Sequence, residues 1–432
     1  MKQLLEFVQK NLQANTARLI LDRSKWPDID MDIAVNCIES RSKLKGKIRE
    51  WYDNPDLVFP LKLSAEQCSS SLTGIYKSEL AERIADSADC WQLADLTGGL
   101  GVDSWYFSKK AGRVLYCEMQ KALCEAAQHN FSALGADNIV VRNCMVVPQS
   151  EAETNVTELE TTPESLFAEY APDIIYLDPA RRGEGGRKVF LLEDCTPDIL
   201  KLKDSLFKYS RNILLKLSPM ADITMVCDRL GKCCREVHIV GASGECKELL
   251  VWMDREWNGD YTITAAELSE AEDEDRCEAA LFSFSPAEEK SAAALIAGKD
   301  EIAAASYLFE PGKALMKAGG YNLLSTRSGL KKLGRSTHYY IAYEQNLNDS
   351  ETLDNFKKLG KVFDILRCEP LDKRSIKEIA SAYPKAEVTA RNLQMDTDTL
   401  RKKLGTKSSD NFHIFGLKSD TAGNLLLATE RI

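Results

Sequence analysis

Histidine is scarce in this chain. His129, His238, His338 and His413 are the only four in 432 residues, and no two are spaced as metal ligands. The 13 cysteines form no C-x-x-C pair, and the adjacent Cys233 and Cys234 are too close for the usual metal clip. No metal is therefore expected, and the thiols read as reduced in a cytoplasmic protein. Long apolar runs are lacking as well: nothing approaches the roughly 20 residues of a membrane helix. The opening M-K-Q-L-L-E is amphipathic and lacks a signal-peptide pattern. A membrane partner is not expected. What remains is a soluble globular composition, 44% hydrophobic and 28% charged. Its length predicts roughly two to four domains.

A general basic excess is also missing. The net charge is -10, which argues against a chain coated in nucleic acid. Residues 355–432, however, hold 15 Lys and Arg against 10 Asp and Glu. A basic end on an acidic body suits docking of a polyanion, and a solvated basic face accounts for the same count.

The chain is organised around D-L-T-G-G-L-G at residues 95–101. It follows the apolar run C-W-Q-L-A and precedes V-D-S-W-Y-F-S, which can start a helix. Strand, glycine turn and helix make a nucleotide-binding opening, because glycine lets backbone approach a ligand closely. Glu118 ends the next apolar run, where an acid can grip ribose hydroxyls. D-P-A-R, residues 178–181, ends a third run, D-I-I-Y-L. No lysine or arginine waits in the turn for a phosphate.

These motifs resemble those of class I S-adenosylmethionine-dependent methyltransferases. Asp95 matches the motif acid, and Gly99 and Gly101 match its second and third glycines. Thr97 stands where the first glycine is usual. The resemblance implies S-adenosylmethionine as cofactor, held by Asp95, Thr97, Gly99, Gly101, Glu118 and Asn143, with Cys144 or a neighbour as an alternative to Asn143 at the adenine edge. D-P-A-R resembles the D-P-P-Y motifs of enzymes that methylate base amines, with Ala180 for the second proline and Arg181 for the aromatic. It makes Asp178, Pro179 and Arg181 the catalytic candidates. Proline fixes its own φ and biases Asp178 toward extended backbone. Arg182, Arg187 and Lys188, in a glycine-rich basic loop, are candidates for gripping substrate, as are Tyr76 and Lys77 in the hydroxyl-rich stretch before the nucleotide strand. Lys216 and Ser218-Pro219 can line the pocket, but neither they nor residues 245–248 are given a catalytic role.

Residues 1–60 read as helical. Asp30 or Asp32 can cap a helix continuing to Trp51, and its R-S-K-L-K-G-K-I-R stretch places Arg41, Lys45 and Arg49 on one stripe. That stripe could meet phosphates or simply solvent. Residues 88–255 alternate strand and helix, with seven strands at 91–96, 113–118, 138–142, 173–178, 211–217, 235–240 and 247–253, which implies a mainly parallel sheet. Residues 262–276 read as an acidic linker. The order beyond it, with Y-L-F-E-P-G-K-A-L-M-K-A-G, T-A-R-N-L and a closing hairpin, resembles bacterial class I methyltransferases that end in a THUMP-like domain.

The expected fold is thus α/β, a Rossmann-like seven-stranded methyltransferase sheet with an N-terminal helical region and two small C-terminal α+β domains. The expected divisions are a helical region at 1–60, the methyltransferase domain at 61–258, a ferredoxin-like module at 279–348 and a THUMP-like domain at 355–432. The implied activity is methylation of a base in tRNA or rRNA, with the C-terminal domains helping to dock RNA. A protein methyltransferase, or an inactive RNA-binding protein that keeps the fold, are the alternatives.

Overall fold

A computed structural model describes all residues except 87–89, 150–158, 182–191, 274, 345–349 and 410. The chain divides into two compact units. The first comprises residues 1–237, 247–261 and 270–277, and the second residues 238–246, 262–269 and 278–432.

The first unit opens with helices α1 (Lys2–Lys10), α2 (Thr16–Leu21), α3 (Met31–Leu44), α4 (Arg49–Asp53), α5 (Lys62–Gln67) and α6 (Ser71–Ala85). Asp30 caps α3 by accepting from Ile33 N at 3.1 Å. That helix stops at Leu44 rather than running on to Trp51. Arg41 is not a phosphate contact either. It is buried, and its guanidinium donates to the carbonyls of Tyr52 at 3.1 Å, Asn54 at 2.9 Å, Pro55 at 3.1 Å and Leu57 at 3.1 Å. Lys47 likewise donates to Glu66 O at 2.8 Å. Local backbone, whose carbonyls lack strand or helix partners, claims these cations.

Strands β1 (Gln92–Asp95), β2 (Arg113–Glu118), β3 (Ile139–Asn143), β4 (Ile174–Leu177) and β5 (Asn212–Leu217) follow. β6 (Cys234–Ala242) starts in this unit and runs into the second, and β7 (Glu245–Asp254) returns. The sheet has nine strands, and the seven labelled here run in the order β3-β2-β1-β4-β5-β7-β6. Its first five strands are parallel, and β7 is antiparallel to β5, with Leu249 opposite Leu217 and Asp254 opposite Asn212. The central strands are largely apolar because both faces are covered, and every residue of β4 is buried. Helix α6 packs on β4 and β5, α7 (Val102–Ser108) on β2, and α8 (Lys121–Ala133) on β2 and β3. This is the mainly parallel α/β sheet that the alternation predicts, with β7 reversed, and all parallel carboxyl ends meet at one rim.

The second unit holds a seven-stranded sheet. In order it runs Lys331–Lys332, Tyr340–Ala342, Tyr307–Pro311, Gly360–Pro370, Gly423–Arg431, Phe412–Ser419, Glu387–Arg391, antiparallel except for the last pair. The two C-terminal modules therefore share one sheet and a common core, in which Leu308 and Ile341 pack with Phe363, Phe415 and Leu427. The acidic linker reading is corrected in part. Thr262–Glu270 is a strand with Ile263 to Ala266 buried, and Glu267 caps the helix Lys313–Ala318 by accepting from Ala314 N at 2.7 Å. The T-I-T-A-A-E-L alternation outweighs its acids.

Candidate active site

The glycine turn begins where β1 ends. Gly98 N donates to Cys117 O at 2.8 Å, pinning the turn to β2. A Cβ on Gly98 would sit 2.1 Å from the Tyr116 ring, so no other residue fits without displacing it. Gly99 (φ +56°) and Gly101 (φ +92°) take the left-handed backbone open to glycine. Tyr116 also donates its hydroxyl to Gly99 O at 2.6 Å.

Asp95 is buried below the turn. Its Oδ2 accepts from Ser104 Oγ at 2.6 Å and its Oδ1 from Thr97 N at 3.0 Å. Burial raises its pKa to about 7, against the lowering effect of those bonds. Glu118, at the end of β2, accepts from Gly99 N at 2.9 Å and from Gln120 N at 2.7 Å. Thr97 fills the place of a glycine with a working hydroxyl, since Asp178 N donates to Thr97 Oγ1 at 2.6 Å.

A cavity of about 850 Å³ opens over these strand ends. That lies in the range of small-molecule sites, roughly 300–1,000 Å³. Its lining joins residues 95–103, Glu118, Cys144, Asp178, Pro179 and Lys216. Asn143 is not among them: its amide is spent on the carbonyls of Glu118 at 2.8 Å and Met119 at 3.1 Å. Met119, Leu123, Cys144 and Met145 line the wall that the adenine edge was expected to meet. Tyr76 and Lys77 do not line the cavity either. Both are buried in α6, and Ser64, Gln67, Cys68 and Ser69 from the preceding segment face it instead. The backbone of Arg181 lies in a two-residue strand, Ala180–Arg181, paired with Cys195–Thr196. Arg182, Arg187 and Lys188 lie outside the described residues.

Beside Asp178 is a charged cluster that the motifs did not announce. Lys216 Nζ is 2.7 Å from Asp178 Oδ2, 3.3 Å from Ser69 Oγ, 3.6 Å from Asp103 Oδ2 and 3.9 Å from Glu248 Oε2. Lys77 is wholly enclosed, 2.6 Å from Glu248 Oε1, 2.9 Å from Ser69 Oγ and 3.3 Å from Asp103 Oδ1. Tyr176 donates to Asp103 Oδ2 at 2.7 Å. Burial opposes the charge on Asp103, yet Lys77 and Lys216 hold it well below the usual carboxylate range. Burial lowers Lys216, but Asp178, Asp103 and Glu248 overcome it and keep the ammonium protonated. Glu248 is raised, because burial outweighs its two lysines. The signal available was a lysine inside the apolar run I-L-L-K-L and a glutamate opening L-L-V-W-M.

The cavity fits a nucleoside cofactor. A Cβ on Gly99 would meet only Thr97 O at 3.8 Å, Glu118 offers its remaining lone pairs, and Asp95 lines the cavity with an acid. Among the described residues no group of His, Cys, Asp and Glu is placed to hold a metal ion, and no helix is long and apolar enough to cross a membrane.

Residues 307–348 match a family described as a ferredoxin-like domain, and residues 360–431 one described as THUMP domain-like. No curated protein sequence matches. A presumed methyltransferase from Porphyromonas gingivalis W83 is similar end to end, with 26% identity, 99% of this chain and 97% of that chain covered, and a TM-score of 0.76. A Thermus thermophilus 16S rRNA N2 G1207 methyltransferase, solved with AdoMet and guanosine, is 14% identical over 45% of each chain, with a TM-score of 0.29. An rRNA methylase from Streptococcus thermophilus is 11% identical over 42% of this chain and 96% of that chain, with a TM-score of 0.28. By fold and by domain content, the chain is similar over its whole length to a structure described as a methyltransferase, and residues 360–431 are THUMP domain-like.

Proposed function

We propose that this chain is an S-adenosylmethionine-dependent methyltransferase that modifies a base of tRNA or rRNA. One observation carries the reading: the glycine turn, Glu118 and Asp178 line a single cavity at the carboxyl rim of the sheet, where ligands of open α/β folds bind. S-adenosylmethionine would supply an electrophilic methyl on a cationic sulfonium. Residues 97–101 would cradle its amino-acid part, with Asp95 facing the positive end and Glu118 accepting from the ribose hydroxyls. Asp178 would accept from the base amine and hold its nitrogen in line, which is most of what methyl transfer requires. Pro179 would restrain Asp178, and Arg181, Arg182, Arg187 and Lys188 would meet the nucleotide. The THUMP domain-like segment and the basic C-terminal end support RNA as the partner. The cytoplasm suits such a substrate.

Labelled methyl donor, purified protein and total RNA or total protein from cells lacking it decide the matter. Label entering RNA, and calorimetric binding of the donor, are expected. Label in protein alone rejects RNA as the substrate, and no affinity for the donor rejects the enzyme.

A further inference from the structure

Lys77 and Lys216 share the same buried carboxylates but not the same exposure. Lys77 is 0% exposed and does not face the cavity, and its three surrounding oxygens all lie within 3.3 Å. It is a structural cation. Lys216 lines the cavity. Its ammonium has three N–H donors. One goes to Asp178 and one to Ser69. Among the described residues the third faces only Asp103 at 3.6 Å and Glu248 at 3.9 Å, beyond hydrogen-bond reach.

Asp178 is the complement. Its side chain is 39% exposed, and Oδ2 accepts from Lys216. Among the described residues no other side chain donates to this carboxylate, which has lone pairs to spare. An unspent donor and an unspent acceptor thus lie side by side on one wall. Two charges that served only each other would gain little from such a place, since a buried pair is a weak source of stability.

We propose that Lys216 is a specificity-determining residue: it donates to an unprotonated ring nitrogen adjacent to the exocyclic amine from which Asp178 accepts. The inference rests on the base-methylation reading above and narrows it. Adenine (N6 beside N1), cytosine (N4 beside N3) and the N2–N3 edge of guanine present that pattern. Uracil, a ribose hydroxyl and a protonated ring nitrogen do not. A base without the ring acceptor leaves the third N–H of the ammonium unpaired in a desolvated wall, and such an omission is discriminated strongly.

The test uses the full chain, labelled methyl donor and RNA from cells lacking the protein, with the product digested to nucleosides. A methyl on an exocyclic amine is expected. A methyl on a ring nitrogen, a carbon or a ribose overturns this proposal and leaves the RNA methyltransferase reading standing, whereas no transfer to RNA overturns both. Lys216→Met is expected to lower kcat/KM for that RNA by roughly tenfold to a hundredfold while the donor still binds, and Lys216→Gln, which keeps a donor, to recover part of it. A Lys216→Met protein as active as the parent sinks the idea. Should both variants misfold, synthetic RNA carrying C–H in place of the neighbouring ring nitrogen serves with the unaltered protein. About a tenfold loss supports the assignment, and an unchanged rate rejects it.

Discussion

The backbone N–H of Gly99 donates to Glu118 across 2.9 Å, joining the glycine turn to the end of the neighbouring strand. One carboxylate therefore fixes the turn and faces the cavity. Glu118→Ala is expected to weaken donor binding by roughly tenfold to a hundredfold, as loss of a charged hydrogen-bond acceptor does. Calorimetry reads this. Glu118→Gln, which keeps one acceptor oxygen, should fall between the two.

Asp95 predicts a dependence on pH. Burial raises its pKa from 3.8 to about 7. Between these values the folded chain holds a proton that the unfolded chain has released, so the group favours folding below about pH 4. That contribution is lost as pH rises through 7. Asp95→Asn should flatten this part of the stability curve, measured as Tm against pH. A bound cation beside Asp95 would pull the value back down. Donor binding near pH 7 should then release a proton, detectable as a calorimetric heat that varies with the buffer's ionisation enthalpy.

Two glycine variants should part company. Gly98→Ala forces a methyl into the Tyr116 ring and should cost about 1–3 kcal/mol or prevent folding. Gly99→Ala meets no clash, only an ordinary contact with Thr97 O at 3.8 Å, so its cost should be about 1 kcal/mol of backbone strain at positive φ. Its new methyl is expected to damage donor affinity more than stability. Urea unfolding beside calorimetry distinguishes the two effects.

Lys77→Met should destabilise the first unit by about 3–5 kcal/mol, because Glu248 and Asp103 lose an enclosed cation. Pairing it with Glu248→Met should recover much of that loss. Denaturant midpoints check both. A single variant as stable as the parent would show the cluster to be hydrated.

The sheet was legible because its strands are covered on both faces, so β4 and β5 are near-continuous apolar runs between turns. The motif acids were legible because such strands end at one rim. Charge was harder to place. A helical wheel puts Arg41 on a stripe but cannot tell that residues 52–57 bring four carbonyls to it. Lys77 read as a substrate contact because the sequence does not reveal which face of α6 meets the sheet. Lys216 stayed without a role because one lysine in an apolar strand says nothing of the three carboxylates that distant segments bring to it. Asn143 sat at a strand end as expected, yet its short side chain turned back to local carbonyls.

The hydroxyl of Thr97 has a last consequence. It accepts from Asp178 N and lies 3.4 Å from Asp95 Oδ1, so a glycine there would sever a strut between the two halves of the cavity. If donor and base both bind here, the strut is a route by which one can shift the other's position, and linkage then makes the effect equal in both directions. Thr97→Gly is expected to remove that route, read as the donor's affinity with and without RNA.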